Sequence, residues 1–269
     1  MLHVHAFNPD PLLRHCVDSY MIISVDQPEK DFIENTFLPD IAQHLVIDLN
    51  QGGSVYDYTH SEYCAPHFIV GPNDAICRVR LFPGMKKMII RFKPGGLFKI
   101  FCLPAHYFIN RSRNALEFLG KTFADTCLQL RETSISGKIG LIDAWLLKKL
   151  NQPAKLYRNI DEAIRLIEQF KGNISLKQLE EATFTTKRTL ERHFLEQIGL
   201  HPKTFSRLVR FNGVIRYLEA NLDVKWRQLA DVFGYYDQSH FIHEFKTLTG
   251  SLPHDYFPIK TSFEKIFQV

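Results

Sequence analysis

The stretch GYYDQSHFIHEFKTLTGSLPHDY (234–256) decides how this chain is read, because the sequence states its pattern twice. The earlier statement is KRTLERHFLEQIGLHPKTFSRLVRF (187–211), and a shift of 51 residues lays one on the other. From residue 186 onward the shift pairs Thr186 with Asp237, Leu190 with Phe241 and Phe194 with Phe245. It also pairs Gly199 with Gly250, Pro202 with Pro253 and Phe205 with Tyr256. Each copy holds a residue suited to cap a helix, apolar residues at i and i+4, a helix-stopping glycine, and a proline ahead of an aromatic. Leu179 and Leu229, one residue closer in register, anchor the helix expected before each copy. The pattern predicts helix, short turn, helix, twice over.

On an ideal helix the face opposite Leu190 and Phe194 carries Arg188 and Arg192. The face opposite Phe241 and Phe245 carries Ser239, His243 and Lys246. Donor-rich side chains near the start of the second helix are what a recognition helix offers to base edges in a major groove. Between Thr185 and Arg227 stand nine basic residues, among them Lys203, Arg207, Arg210, Arg216 and Lys225, against four acidic ones. Such a stretch neutralises phosphates, or it is simply a solvated face. Pattern alone leaves open a six-helix bundle whose repeat serves packing.

The surrounding residues fit the same helical texture. Asp161 is expected to cap a helix carrying Ile164, Ile167 and Phe170, stopped by Gly172-Asn173, and Ser175 to cap the next. Pro202 opens a helix running to about Asn221, and two more fit 225–233 and 238–248. Asn151-Gln152-Pro153 interrupts the pattern upstream, which places a boundary between residues 1–152 and 153–269. Before it, two apolar stripes are expected on helices: Leu116, Leu119, Phe123 and Leu130, then Ile139, Ile142, Trp145, Leu146 and Leu150.

Up to about residue 110 the texture is that of short strands. HLVIDL (44–49), HFIVG (67–71), ICRVRLF (76–82) and KMIIRF (87–92) are rich in β-branched and aromatic residues, with Gly- and Pro-bearing turns between them. A sandwich or barrel is expected, so the fold class is α+β: a β-rich first part with a helical linker, then an all-α second part.

The 269 residues carry a formal net charge of only +4, with 16 basic and 15 acidic residues in 1–152 and 17 and 14 in 153–269. Global charge therefore does not announce nucleic acid. No apolar run is long enough to span a bilayer and MLHVHAFNPDPLL lacks a secretory pattern, so the expectation is a cytoplasmic protein without membrane contact. Cys16, Cys64, Cys77, Cys102 and Cys127 are odd in number and form no C-x-x-C pair, which suits scattered reduced thiols.

Residues 234–256 resemble the signature of the AraC/XylS regulators nearly position by position, and 187–211 is similar to that family's first recognition helix and the start of its linker helix. The resemblance spans about 160–257. It implies a transcription regulator that binds specific double-stranded DNA, with RNA polymerase as a further partner. Carried over by matching positions, Arg188, Glu191 and Arg192 face bases from the first helix, with Lys187 and Thr189 nearer the backbone. Gln238, Ser239, His240 and His243 do so from the second. Lys203 and Lys246 complete the expected DNA-contacting set. Two departures stand out in the first unit: Phe184 where the family usually has Gly, and Glu180 where it often has Ala, against Gly234 and Ala230 in the second. Because Phe does not readily adopt positive φ, the first unit is expected to sit differently.

FLPDIAQHLVIDL (37–49) and VRLFPGMKKMIIRFKPGGLFKIFCLPAHYF (79–108) resemble a domain of uncharacterised function found before AraC-type modules, itself similar to a cupin-like sensor barrel. That implies a small-molecule effector in the interior and helices over 114–150 that support a homodimer. Arg91 is the candidate ligand-holding residue, the alternative being a surface arginine. His44, His60, His67 and His106 lack a compact H-x-H with a following carboxylate, and His3-Val4-His5 is placed at a mobile terminus, so no metal site is expected. Lys93-Pro94-Gly95-Gly96 reads as a turn, and neither a G-x-S-x-G elbow nor a cysteine nucleophile setting occurs. No cofactor and no catalytic residue is expected. The rivals are a cupin-like enzyme with an accessory DNA module and a non-specific architectural DNA binder.

Overall fold

The computed structural model describes residues 2–26, 31–50, 54–151, 157–220 and 226–256. The fold is α+β, with strands first and helices after. Strands β1 (Leu2–Phe7), β2 (Val17–Val25), β3 (Ile33–Phe37), β4 (Gln43–Asp48), β5 (Val55–Asp57), β6 (Glu62–Tyr63), β7 (Phe68–Val70), β8 (Cys77–Leu81) and β9 (Lys86–Phe92) come before helix α1 (Gly96–Phe101). After a short β10 (Arg113–Asn114) come α2 (Ala115–Glu132) and α3 (Ile135–Leu150). The remaining helices are α4 (Arg158–Gln169), α5 (Leu176–Thr183), α6 (Lys187–Gln197), α7 (Pro202–Ala220), α8 (Trp226–Val232), α9 (Gln238–Thr249) and α10 (Pro253–Tyr256).

The strands form a six-stranded sheet, ordered β1-β2-β9-β4-β7-β10, and a four-stranded sheet, ordered β3-β8-β5-β6. Alternation along β2 explains the architecture. Met21, Ile23 and Val25 face the smaller sheet and pack with Val55, Val79 and Leu81, while Tyr20 and Ile22 face the helices. Both faces of the larger sheet are therefore covered, which is why its central strands read as near-continuous apolar runs. On the helical side Phe123 of α2 and Trp145 of α3 lie 5.4 Å apart and join the core over Leu45, Met88 and Ile90. A separate core runs through α4 to α9, around Leu190, Phe194, Phe205, Phe211, Phe241 and Phe245.

The stripes over 114–150 are turned inward onto the larger sheet, while Leu128 and Ile135 of the same helices stay exposed. Three expectations change. Leu116 is not in the first stripe, because the backbone breaks at Gly120 (φ 68°, ψ −161°) and leaves Leu116 outward. Asp161 lies in the first turn of α4, after Tyr157 at the N-cap, and pairs with Lys99 instead of capping. His3 and His5 belong to β1, hydrogen-bonded along β2, and His3 meets Asp26 at 2.7 Å, so this segment is ordered strand. All five cysteines are free thiols, with Cys102 exposed.

Candidate nucleic-acid interface

The first unit is α5, a turn and α6; the second is α8, a turn and α9; α7 joins them. α5 begins with a capping box in which Ser175 and Gln178 satisfy each other's backbone N–H. α6 is capped by Thr186, whose hydroxyl accepts from the Thr189 N–H, and α9 by Asp237, whose carboxylate accepts from the His240 N–H at 2.7 Å. Leu190 and Phe194, like Phe241 and Phe245, are at most 1% exposed. Burying those faces fixes what is left outside. Lys187, Arg188 and Arg192 project to solvent from α6, with Thr189 and Glu191 at its partly covered flanks. Gln238, Ser239, His240, His243 and Lys246 project from α9, and Lys203 from the first turn of α7. Arg192 Nη2 lies 3.2 Å from His193 Nε2, and the His240 ring accepts from the Tyr236 N–H at 3.4 Å.

The turns correct one expectation. Phe184 adopts the left-handed conformation itself (φ 50°, ψ 40°), as Gly234 does (φ 67°). The Thr185 N–H bonds the Glu180 carbonyl, as the Tyr235 N–H bonds the Ala230 carbonyl. The first turn keeps its shape, with a phenyl ring 96% exposed and no packing in return. Glu180 has a local use: its carboxylate accepts the N–H of Lys187, capping the N-terminus of α6 alongside Thr186.

Arg210, counted above in the basic stretch, is turned inward. Its guanidinium donates to both Glu244 oxygens (3.2 and 3.1 Å) and to Asn173 Oδ1 (3.3 Å), and lies 4.4 Å over the Tyr235 ring. Asn173 in turn donates to the Phe233 carbonyl at 2.9 Å. One node therefore ties the α4–α5 connection, α7 and the second unit together. Its only sequence signal is an arginine indistinguishable from its surface neighbours. Lys225, from the same stretch, lies outside the described residues, as do the side chains of Arg227 and Tyr256.

The strand-rich part grips the first unit. Gln43 Nε2 donates to the Ile198 carbonyl at 3.3 Å, Lys99 pairs with Asp161 at 2.7 Å, and Tyr157 stacks on Phe98 on one side and His193 on the other. Between the two sheets lies a cavity of about 390 Å³, a volume suited to a small ligand. Asn212, Ile215 and Arg216 of α7 stand at its mouth, and Asn212 donates to Asp40 at 3.3 Å. Arg91 does reach this mouth, but it is engaged there by Asp40 (2.8 Å) and Asp18 (3.4 Å). Burial opposes ionisation of Asp40, yet Arg91 and then His44 outweigh it and hold the carboxyl below its ordinary range. Burial, then Arg91, push His44 down to about 4, so that ring is neutral at pH 7. His67 is a core histidine accepting from the Asp48 N–H, and His60 meets Asp57 at 2.7 Å. Among the described residues no three His, Cys, Asp or Glu side chains converge as metal ligands, and no helix is long and apolar enough to cross a membrane.

Residues 179–258 match the family model of a helix-turn-helix domain, and residues 5–114 that of a domain of unknown function (DUF6597). No curated protein matches the sequence. Among solved structures the chain is similar to ToxT from Vibrio cholerae, at 13% identity over 97% of this chain and 99% of that one, with a TM-score of 0.46. The unsaturated-fatty-acid-bound form of ToxT gives 12% identity, 97% and 95% coverage and 0.42. The xylose-binding transcription activator XylR gives 15% identity, 51% and 40% coverage and 0.35.

Proposed function

We propose that this chain, whose residues 179–258 match a helix-turn-helix domain, is a DNA-binding regulator of the AraC type in which α6 and α9 read base edges in neighbouring major grooves while the strand-rich part senses a small effector. In this reading residues 153–269 form the DNA-binding part and 1–152 the sensor. The observation that carries it is the duplicated unit. Two capped helices bury equivalent apolar faces and turn donor-bearing side chains outward, and the Arg210 node ties the second unit to α7 and to the connection leading into the first. Arg188, Glu191 and Arg192, with Gln238, Ser239, His240 and His243, are assigned to bases; Lys187, Thr189, Lys203 and Lys246 to the backbone. RNA polymerase remains the further partner that the family type suggests.

The effector reading rests on the cavity and its roof. A ligand seated between the sheets touches Ile215 and Arg216 directly, so occupancy and the placement of α7 become two linked equilibria. Selection from a random duplex pool tests the DNA reading. Wild type should enrich one motif; Arg192→Ala and His243→Ala should each cost about 1–3 kcal/mol and relax one base position, whereas Lys203→Ala should weaken all sequences alike. Folded variants of Arg192 and His243 that both keep the wild-type motif and affinity would sink it.

A further inference from the structure

Resting on the reading of the cavity as an effector site, we propose that it selects an uncharged, largely apolar molecule bearing a hydroxyl or carbonyl group, held by the amide of Asn35. The walls are apolar, with Ile23, Val46, Val55, Phe68, Val79 and Ile89 among them. Apart from Arg216, which is exposed on α7 at the mouth where water competes for any ion pair, the charged groups that line the chamber are already matched within the chain. Lys87 Nζ lies 2.8 Å from Asp48 Oδ1, itself also approached by Arg131 at 3.5 Å. The Asp57 carboxylate accepts from the backbone of Thr59 and His60 and meets the His60 ring at 2.7 Å. At the mouth Arg91 is shared between Asp40 and Asp18.

An ion passing beyond the mouth, out of reach of the exposed Arg216, loses its hydration among apolar walls and must break one of these pairs to find a counter-charge, leaving the displaced partner buried and alone. Neutral polar groups face no such penalty, and the chamber offers them partners. Asn35, on β3, is 5% exposed and lines the cavity with no side-chain hydrogen bond among the described residues. The Oδ1 of Asn73, also on the lining, is buried and lacks a partner there too. A buried amide left open in this way presents one donor and one acceptor set without charge, which is complementary to a hydroxyl or carbonyl.

Two dyes with one skeleton test this on the full chain: neutral N-phenyl-1-naphthylamine and its sulfonated counterpart 8-anilinonaphthalene-1-sulfonate, titrated by fluorescence. The neutral dye should bind saturably and at least tenfold more tightly, and Val79→Phe, or Val55→Phe should the first not fold, should abolish its binding. A sulfonate bound as tightly as the neutral dye, and lost on the same filling, would overturn the proposed ligand class while leaving the cavity reading intact. Binding that survives filling in a folded variant, or absence of binding by either dye, would overturn the cavity reading and this inference with it. The amide is tested separately by displacement. Asn35→Ala should weaken 1-naphthol several-fold and leave naphthalene unchanged; equal effects on both would remove Asn35 from the assignment.

Discussion

The two helix-turn-helix units are copies in sequence, and they are tied to different bodies. Residues 193 and 244 occupy the same position under the 51-residue shift. In the first unit His193 stacks on Tyr157 at 3.8 Å, and Tyr157 stacks in turn on Phe98 of the strand-rich part. In the second unit Glu244 is bonded by Arg210 of α7. One repeat position thus couples the first unit to the sensor and the second to the joining helix. A repeat preserves the helices and their buried faces, while single substitutions on the flanks redirect what each copy leans on.

The largest expected effect would show the units to be equal inside. Phe194→Ala and Phe245→Ala should each cost about 3–5 kcal/mol, the usual range for emptying a buried phenylalanine site, measured by denaturant unfolding of the full chain. A much smaller loss at one of them would mean that its copy is the looser core.

Next comes the position where the units differ. Glu244→Ala should cost about 3 kcal/mol, because it leaves the Arg210 guanidinium buried without its carboxylate. His193→Ala removes a ring stack and should cost about 1 kcal/mol. Hydrogen exchange sharpens the contrast: Glu244→Ala should loosen α9 against α7, and His193→Ala should loosen α6 against α1. Identical protection changes in both variants would refute the separate attachments.

The turns should give effects of opposite sign. Gly234→Ala should destabilise by about 2 kcal/mol, from the left-handed backbone and from a Cβ that would stand 2.7 Å from the Asn173 side chain. Phe184→Gly relieves the same backbone strain and gives up almost no packing. Its gain is held to at most about 1 kcal/mol by the greater freedom of glycine in the unfolded chain. Thermal midpoints read both, and a Phe184→Gly variant that loses stability would reveal a packing role for the ring.

The duplicated pattern made the caps at Thr186 and Asp237, the buried pairs Leu190–Phe194 and Phe241–Phe245, and the outward residues on both helices legible from sequence, because each depends on neighbours within one or two turns. Strand segments were legible for a similar reason, since turn residues and β-branched runs act locally. Local reading failed where a residue's partner lies far along the chain. Arg210 counted as one more surface cation until Asn173 and Glu244 were brought to it. The apolar stripes of α2 and α3 carry no mark of the surface that receives them, which is the larger sheet.

Helical periodicity, capping chemistry and turn residues are local properties, and they specify two capped helix-turn-helix units behind a strand-rich part. Long-range packing adds that the first unit is gripped by that part, that α7 roofs its cavity, and that Phe184 takes the turn a glycine would have taken. Those outcomes depend on which surfaces meet across more than a hundred residues, as Asn212 meets Asp40. Burial and ion pairing are settled by the assembled fold as a whole, and no local pattern records them.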